Sequence, residues 1–295
     1  MSQSKSKTAL VVGATSPTGQ HCIRQLLDES YQVTCTTGRA WTPPEDLTAH
    51  PALTIQDLEL THINPVQLQS WMTDFDIAIF IPPITISQNI LPYIENSGIK
   101  RLVFVSSYNV VNFGDTSYYA PFKQAEETIL SYKIPSIIIR STLVIGHTRN
   151  PTIHMILNKI RKKRPFIEVK GKDALRQPID FRDLSRAILH AAKHQNLKAG
   201  IYPVAGQNSL SSKALYTAVS HVVRQKPVFW HFPNSIIAMA KKITATLLPH
   251  ASLTAYLSRA GFDRHLTQPS LPDWTPIYTL DDSIKNIEQE ITANT

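Results

Sequence analysis

The sequence is poor in cysteine, with two residues, Cys22 and Cys35, among 295. That number excludes a disulfide framework and a four-ligand zinc site built from cysteine, and both residues read as small core side chains. Charged residues make up 18%, below the roughly 25% of ordinary soluble domains, and no low-complexity tract occurs, so a wholly disordered chain is excluded. No uncharged apolar run reaches the roughly 18–20 residues a membrane span needs, because Lys241 and Lys242 interrupt the longest candidate at 235–248. The polar start, 1–7, runs directly into a short apolar stretch without the pattern of a signal peptide, so a cytoplasmic protein is expected. No His, Asp and Glu cluster has metal-ligand spacing: His147 and His154 flank Pro151 with no carboxylate to complete a set.

Positive charge is in excess. Thirty Lys and Arg stand against 22 Asp and Glu, a formal +8, which favours anionic partners. The densest basic run, 159–164, has no interleaved aromatics and no recognition-helix pattern, so it reads as a solvated helix end. Nucleic acid is therefore not an expected partner; a nucleotide cofactor and a small anionic metabolite are.

The length suits roughly two units at about 150 residues each. Over the first half, short β-rich runs at 8–12, 32–36, 53–56, 77–81, 101–106 and 136–139 alternate with helical patterns at 21–29, from Pro83 to near Asn96, and at 119–130. Six strands separated by helices predict an α/β fold, a Rossmann-type doubly wound parallel sheet. After Gly146 the pattern loosens into helices at 153–162, 181–193 and 210–223, a short strand at 201–204, an amphipathic stretch at 234–257 and a last helix from near Leu280. The expected division is a dinucleotide-binding domain over 1–147 and a smaller, mostly helical substrate lobe over 148–295, partly interleaved with the sheet.

The first strand runs into Gly13-Ala14-Thr15-Ser16-Pro17-Thr18-Gly19. Gly13 permits a tight exit from the strand, Gly19 permits close packing of helix on strand, and a helix N-terminus offers backbone N–H groups to a pyrophosphate. Ser16 stands where a middle glycine is usual, and its hydroxyl could donate to a phosphate. Twenty residues beyond Gly19, where an acid would bond a ribose 2′-hydroxyl, stands Arg39, and no Asp or Glu occurs between Tyr31 and Pro44. An arginine there accommodates a 2′-phosphate, which predicts NADP over NAD.

Tyr119 and Lys123 lie four apart, hence on one face of a helix, the spacing at which a lysine favours a phenolate for acid/base work. Ser106 and Ser107 close the fifth strand, at the carboxyl edge where open α/β sheets place ligands, and one of the two hydroxyls could bond the carbonyl that the tyrosine protonates.

With these residues in order, the chain resembles the short-chain dehydrogenase/reductase superfamily in its extended or atypical branch, including nucleotide-sugar epimerases and reductases and NmrA-like proteins. The resemblance runs through Gly13–Gly19, Asp57-Leu58, 101–107, Tyr119–Lys123 with Glu126, Arg140, the segment 176–184, and Asp273-Trp274-Thr275-Pro276 with 279–284. It implies that Tyr119 is the general acid/base, Lys123 its activator and a ribose ligand, and Ser107, ahead of Ser106, the group orienting the substrate. It further implies a cofactor lined by Gly13, Thr15, Ser16, Pro17, Thr18, Gly19, Arg39, Asp57 (on the adenine amino group), Leu58, Ile81, Pro82 and Lys123. The chain departs from the pattern at Ser16, at Ile81-Pro82-Pro83 and in the short interval from Ser107 to Tyr119. The activity this implies is an NADP-dependent interconversion of carbonyl and alcohol on a small anionic metabolite, such as a nucleotide sugar, by a monomer or homodimer. The alternatives are an epimerase or dehydratase that keeps its NAD(P), and a non-catalytic NADP-binding regulator or assembly factor.

Overall fold

The computed structural model describes residues 6–38, 41–72, 75–171, 174–247, 262–267 and 270–293. Six strands follow one another in the first half: Thr8–Val12 (β1), Gln32–Thr37 (β2), Leu53–Asp57 (β3), Ile77–Phe80 (β4), Leu102–Ser107 (β5) and Ser136–Ser141 (β6). A seventh, Gly200–Val204, returns to pair with β6, giving the order Gly200–Val204, β6, β5, β4, β1, β2, β3. Every pairing in this sheet is parallel. The order reverses between β1 and β4, the switch point at which doubly wound sheets take their ligands.

Both faces of the sheet are covered, which is why its central strands are apolar almost throughout rather than alternating. On one face Leu10, Val12, Phe80, Phe104 and Ile138 join a core with Leu68, Ile84, Leu91 and Ile129 from the helices. Phe80 and Phe104 stack there with ring centroids 4.7 Å apart. Helices Pro17–Asp28 and Phe181–Lys193 pack against each other in the same unit, where Ser185 Oγ meets Cys22 Sγ at 3.1 Å. Burial pushes both thiols up to about 12, so each cysteine is a small core side chain, as its sequence context indicates.

Where local structure departs from the apolar periodicity, the cause is a cap or a proline. The first helix starts at Pro17, four residues before the pattern suggests, because Ser16 caps it and Pro17 occupies the first turn without needing a donor. The helix expected from Pro83 to Asn96 is three pieces instead, Ile84–Ser87, a 3₁₀ turn Gln88–Ile90, and Leu91–Ile94. Pro92 has no N–H to give to Gln88, so the chain tightens there. The helix expected over 210–223 is a short strand, Leu210–Ser211, followed by helix Ser212–His221, with Ser211 capping the latter through Ala214 N–H at 3.0 Å. The amphipathic stretch is helical over Asn234–Leu247; its continuation to 257 lies outside the described residues.

Contacts divide the chain into two units. The first comprises Met1–Thr142, Phe181–Val204 and Leu266–Pro276. The second comprises Leu143–Asp180, Ala205–His265 and Ile277–Thr295, so the chain leaves the sheet unit after Thr142 and re-enters it twice. The second unit has its own core of Ile153, Ile156, Leu157, Phe166, Leu215 and Ile287. Its last helix, Leu280–Ala293, opens on a reciprocal cap in which Thr279 N–H donates to Asp282 Oδ2 at 2.9 Å and Asp282 N–H to Thr279 Oγ1 at 3.2 Å.

Candidate cofactor and catalytic site

The loop after β1 is held from both sides. Gly13 and Ala14 donate to the Thr36 carbonyl at 3.3 and 3.2 Å, tying the loop to the end of β2. Gly13 has φ +98°, and a Cβ there would lie 3.0 Å from Pro82 Cδ and 3.3 Å from Ile81 Cβ. A Cβ on Gly19 would lie 2.3 Å from the Gly13 carbonyl oxygen. Both glycines are thus required by backbone crowding. Ile81 and Pro82 close the loop on the β4 side, with Ile81 N–H on the Val12 carbonyl at 3.1 Å.

Ser16 does a different job from the one its hydroxyl suggests. Its Oγ donates to the Gly13 carbonyl at 2.9 Å and accepts from Gly19 N–H at 3.0 Å. The hydrogen that could have reached a phosphate is spent inside the loop. Pro17 brings no N–H, and that of Gly19 is committed, which narrows the donors left for an anion to this loop's remaining backbone. Thr18 is buried beside them at 5% exposure, and Thr15 is half-buried.

At the far end of β2 and β3 lies a cavity of about 370 Å³, lined by Thr37, Gly38, Asp57, Leu58 and Glu59 and, beyond them, by His62, Asn64, Gln67 and Leu68. Thr37 Oγ1 donates to Asp57 Oδ1 at 3.2 Å, and Leu58 N–H to the Thr37 carbonyl at 3.0 Å. Gly38 runs close to this corner, since a Cβ on it would sit 3.3 Å from the Leu58 carbonyl oxygen. Asp57 and Leu58 therefore line an open recess beside the loop strand. Arg39, on which the preference for a 2′-phosphate rests, lies outside the described residues.

The residues at the carboxyl end of β5 are joined by one residue that sequence reasoning missed. Asn109 N–H donates to Ser107 Oγ at 3.3 Å, and Asn109 Nδ2 donates to the Tyr119 hydroxyl at 2.9 Å. Ser107 and Tyr119 are thereby linked through one side chain and its backbone. The neighbouring Ser106 is 5% exposed and its Oγ has no partner among the described residues. The available signal was position: Asn109 opens the helix Asn109–Phe113 two residues after the strand-end serines.

Tyr119 is 6% exposed, its ring among Phe113, Tyr118 and Phe122 at centroid distances of 6.1, 4.8 and 5.6 Å. It is the N-cap residue of helix Ala120–Leu130 rather than a residue within it. Lys123, expected to pair with it, turns to Asp115 Oδ1 at 3.3 Å, in an ion pair whose lysine and aspartate side chains are 51% and 97% exposed. The expected tyrosine–lysine contact is thus replaced by a tyrosine–asparagine one, because the aromatic cluster fixes the ring while the lysine follows an acid in the preceding loop. Deeper in the same helix, Glu126 is buried and pairs with Arg140 of β6, fixing the helix on the sheet.

In the second unit, the segment beginning at Arg176 is a packing element. Arg176, 8% exposed, donates to the Phe262 and Leu175 carbonyls at 2.6 and 3.0 Å, and burial pushes its guanidinium below the usual range. Gln177 Nε2 donates to the Gly206 carbonyl at 2.8 Å, and Ser283 Oγ to Asp180 at 2.6 Å. Phe229 stacks near Phe166 and Tyr216, whereas Trp230 on the same strand is 55% exposed.

A seven-stranded parallel sheet with a crowded glycine loop at its switch point defines a dinucleotide-binding α/β protein. The NAD(P)H-binding family profile matches residues 13–159, which include the loop, the recess and the Ser107–Asn109–Tyr119 group. The chain thus carries an NAD(P)H-binding domain over residues 13–159, on a Rossmann-like α/β fold. A search of curated proteins finds no match. Among solved structures, the chain is similar to UDP-glucuronic acid 4-epimerase from Bacillus cereus in complex with UDP-glucuronic acid and NAD, at 14% identity and a TM-score of 0.71, covering 98% of this chain and 100% of that one. It is similar to dTDP-glucose 4,6-dehydratase from Bacillus anthracis in complex with NAD, at 14% identity and TM-score 0.69, covering 98% and 97%. It is also similar to UDP-glucose 4-epimerase from Thermotoga maritima with UDP-glucose, at 12% identity and TM-score 0.69, covering 97% and 99%. At these identities the likeness establishes the fold.

Proposed function

We propose that the protein is an NAD(P)-dependent enzyme that epimerises or dehydrates a nucleotide-activated sugar, or a closely similar anionic metabolite, and keeps its cofactor through the cycle. The observation that carries this reading is the Ser107–Asn109–Tyr119 group at the carboxyl end of β5, in the unit that holds the glycine loop. Support comes from the end-to-end likeness to structures that hold NAD and a UDP-sugar. That likeness favours the epimerase or dehydratase alternative over the carbonyl reductase that the sequence alone favours.

The dinucleotide fits the residues present: Gly13 and Gly19 leave the space that a Cβ would fill, and the recess at Asp57 and Leu58 is open. Its pyrophosphate would lie against 13–19, its adenosine half against Asp57, Leu58 and Gly38, and the inner wall would be Ile81 and Pro82. Arg39 would meet a 2′-phosphate if the cofactor is NADP. Bound there, the nicotinamide supplies reversible hydride uptake. Tyr119 would move a proton at the sugar hydroxyl: its oxygen accepts from Asn109, which leaves its own hydrogen for a substrate oxygen. An N–H aimed at that oxygen also stabilises the charge that develops when the proton leaves. Ser107 would orient the same substrate oxygen. Lys123 would reach the ribose by leaving Asp115, an exposed pair worth only about 0–1 kcal/mol.

A second reading, a cofactor-binding protein without catalysis, is favoured by one observation: Tyr119 is buried and paired with Asn109 rather than Lys123. The deciding experiment extracts small molecules from the purified protein for mass spectrometry, then incubates the protein with UDP- and dTDP-sugars and separates the products. Retained NAD(P) with conversion of a nucleotide sugar supports the proposal. Retained NAD(P) with no conversion supports the second reading. Stoichiometric consumption of added NADPH with a carbonyl substrate restores the reductase.

A further inference from the structure

Helix Asn234–Leu247 is packed on one side only. Ile237 is 3% exposed, yet Ile236, Met239 and Ile243 are 44%, 60% and 49% exposed. Those three stand at spacings of three and four, so they share one face, and that face is turned to solvent. Three large apolar side chains in a row differ from the scattered exposed leucines any surface carries; a contiguous apolar stripe marks a contact surface. Just ahead of the helix, on the edge strand Phe229–Phe232, Trp230 is 55% exposed and meets Phe232 edge-on at 6.5 Å.

The charge along the sequence on either side of this helix has one sign. From Ala205 to Phe262 the chain has six lysines and arginines and not one aspartate or glutamate. Two of the lysines, Lys241 and Lys242, belong to the helix itself, and Lys242 is exposed. An apolar stripe flanked by lysines, with an exposed tryptophan close by in sequence, is the composition of a helix that lies in the plane of a lipid headgroup layer. A protein partner would need an acidic rim and a groove; an anionic bilayer supplies uniform negative charge and an apolar interior to a single convex helix.

We propose that helix Asn234–Leu247 docks the protein on an anionic lipid surface, with Ile236, Met239 and Ile243 in the acyl boundary and the exposed Lys242 at the headgroups. The contact is peripheral: no helix among the described residues is long and apolar enough to cross a membrane. It is independent of the reaction assigned above, and its test does not use activity.

The test is co-sedimentation of the full chain with vesicles of phosphatidylcholine alone, or of phosphatidylcholine with about one third phosphatidylglycerol, at low and high salt. Binding is expected on the anionic vesicles, weakened by salt and absent on the neutral ones. Met239→Glu with Ile243→Glu should weaken it at least tenfold, since two apolar side chains that enter the acyl boundary become anionic. Val66→Glu, at a position 77% exposed in the sheet unit, should leave binding unchanged. All three positions are on the surface, and equal melting temperatures confirm folded variants. No anionic vesicle binding, or binding that survives the double variant, overturns the proposal. So does a dimer in sedimentation velocity that the double variant dissolves without any vesicle binding, which would make the stripe a self-association surface.

Discussion

Asn109 Nδ2 donates to the Tyr119 hydroxyl at 2.9 Å, across ten residues of chain that leave the sheet and come back as a helix. The amide gives its proton and takes none from the phenol. A phenol held this way is oriented by a neutral group rather than a cation, and its own hydrogen stays available.

Tyr119→Phe removes that hydrogen and keeps the ring among Phe113 and Phe122. Turnover of the identified substrate should fall by about 10²–10⁴, the usual contribution of a positioned acid/base group. NAD(P) affinity, measured by calorimetry, should hold. Tyr118→Phe is the comparison: Tyr118 is 60% exposed and its loss should be mild.

Asn109→Leu leaves the hydroxyl of Tyr119 buried without a partner, at a cost of about 1–3 kcal/mol. Lower thermal stability is expected, together with a fall in kcat larger than the change in KM. A variant that lost stability alone, with kcat intact, would reduce Asn109 to a structural role.

Gly19→Ala and Ser16→Gly should act in opposite directions. An added Cβ at Gly19 would press within 2.3 Å of a backbone carbonyl, so the loop must move; NAD(P) affinity should drop at least tenfold, about 1.4 kcal/mol. Ser16→Gly costs the helix only a few tenths of a kcal/mol, and it releases Gly19 N–H from Ser16 Oγ. Affinity for the cofactor should stay level or rise.

The expectation of NADP rests on Arg39 in the sequence. Titration with NADPH and NADH should show the tighter complex with NADPH, through a charge-assisted fork to the 2′-phosphate. Arg39→Asp should invert the order. Equal affinities for the two in the unaltered protein would remove NADP from the proposal.

His147, in the second unit, is 7% exposed, and burial first of all holds its ring below the usual histidine range, with Arg149 acting in the same direction. Glu290 and Asp180 oppose that shift. The net direction is down, so the fold favours the neutral ring while the unfolded chain takes up a proton near pH 6.5. The resulting stability is present above that value and lost as pH falls through the lower folded one. Melting temperature should decline between pH 7.5 and pH 5.5, and His147→Gln should flatten the decline.

The parallel sheet was legible because strands covered on both faces are continuous apolar runs, and Ala9 to Val12 or Ile137 to Ile139 are just that. The loop was legible because Gly13 and Gly19 answer to local crowding. Pairings set by distant packing were not. Lys123 and Tyr119 have the spacing of partners, but the aromatic cluster and Asp115 draw them to different neighbours. Asn109 carries no pattern of its own; its role exists only once β5 and helix Ala120–Leu130 are side by side. The three-piece stretch after Pro83 turns on Pro92, whose missing donor weighs more than the apolar spacing around it.

The late return of Gly200–Val204 to β6 has a bearing on synthesis. Residues 143–180 must be made, and the helix Phe181–Lys193 with them, before the edge of β6 finds its neighbour. Until then Ser136–Ser141 offers a bare row of backbone donors and acceptors beside Ile137, Ile138 and Ile139, the kind of edge that recruits other chains. A fragment ended at residue 147 would keep the cofactor loop and β1 to β6 but carry that open edge permanently. It should aggregate where the full chain does not, so this nucleotide-binding half depends for its solubility on a strand encoded more than fifty residues beyond the point where its sequence pattern stops.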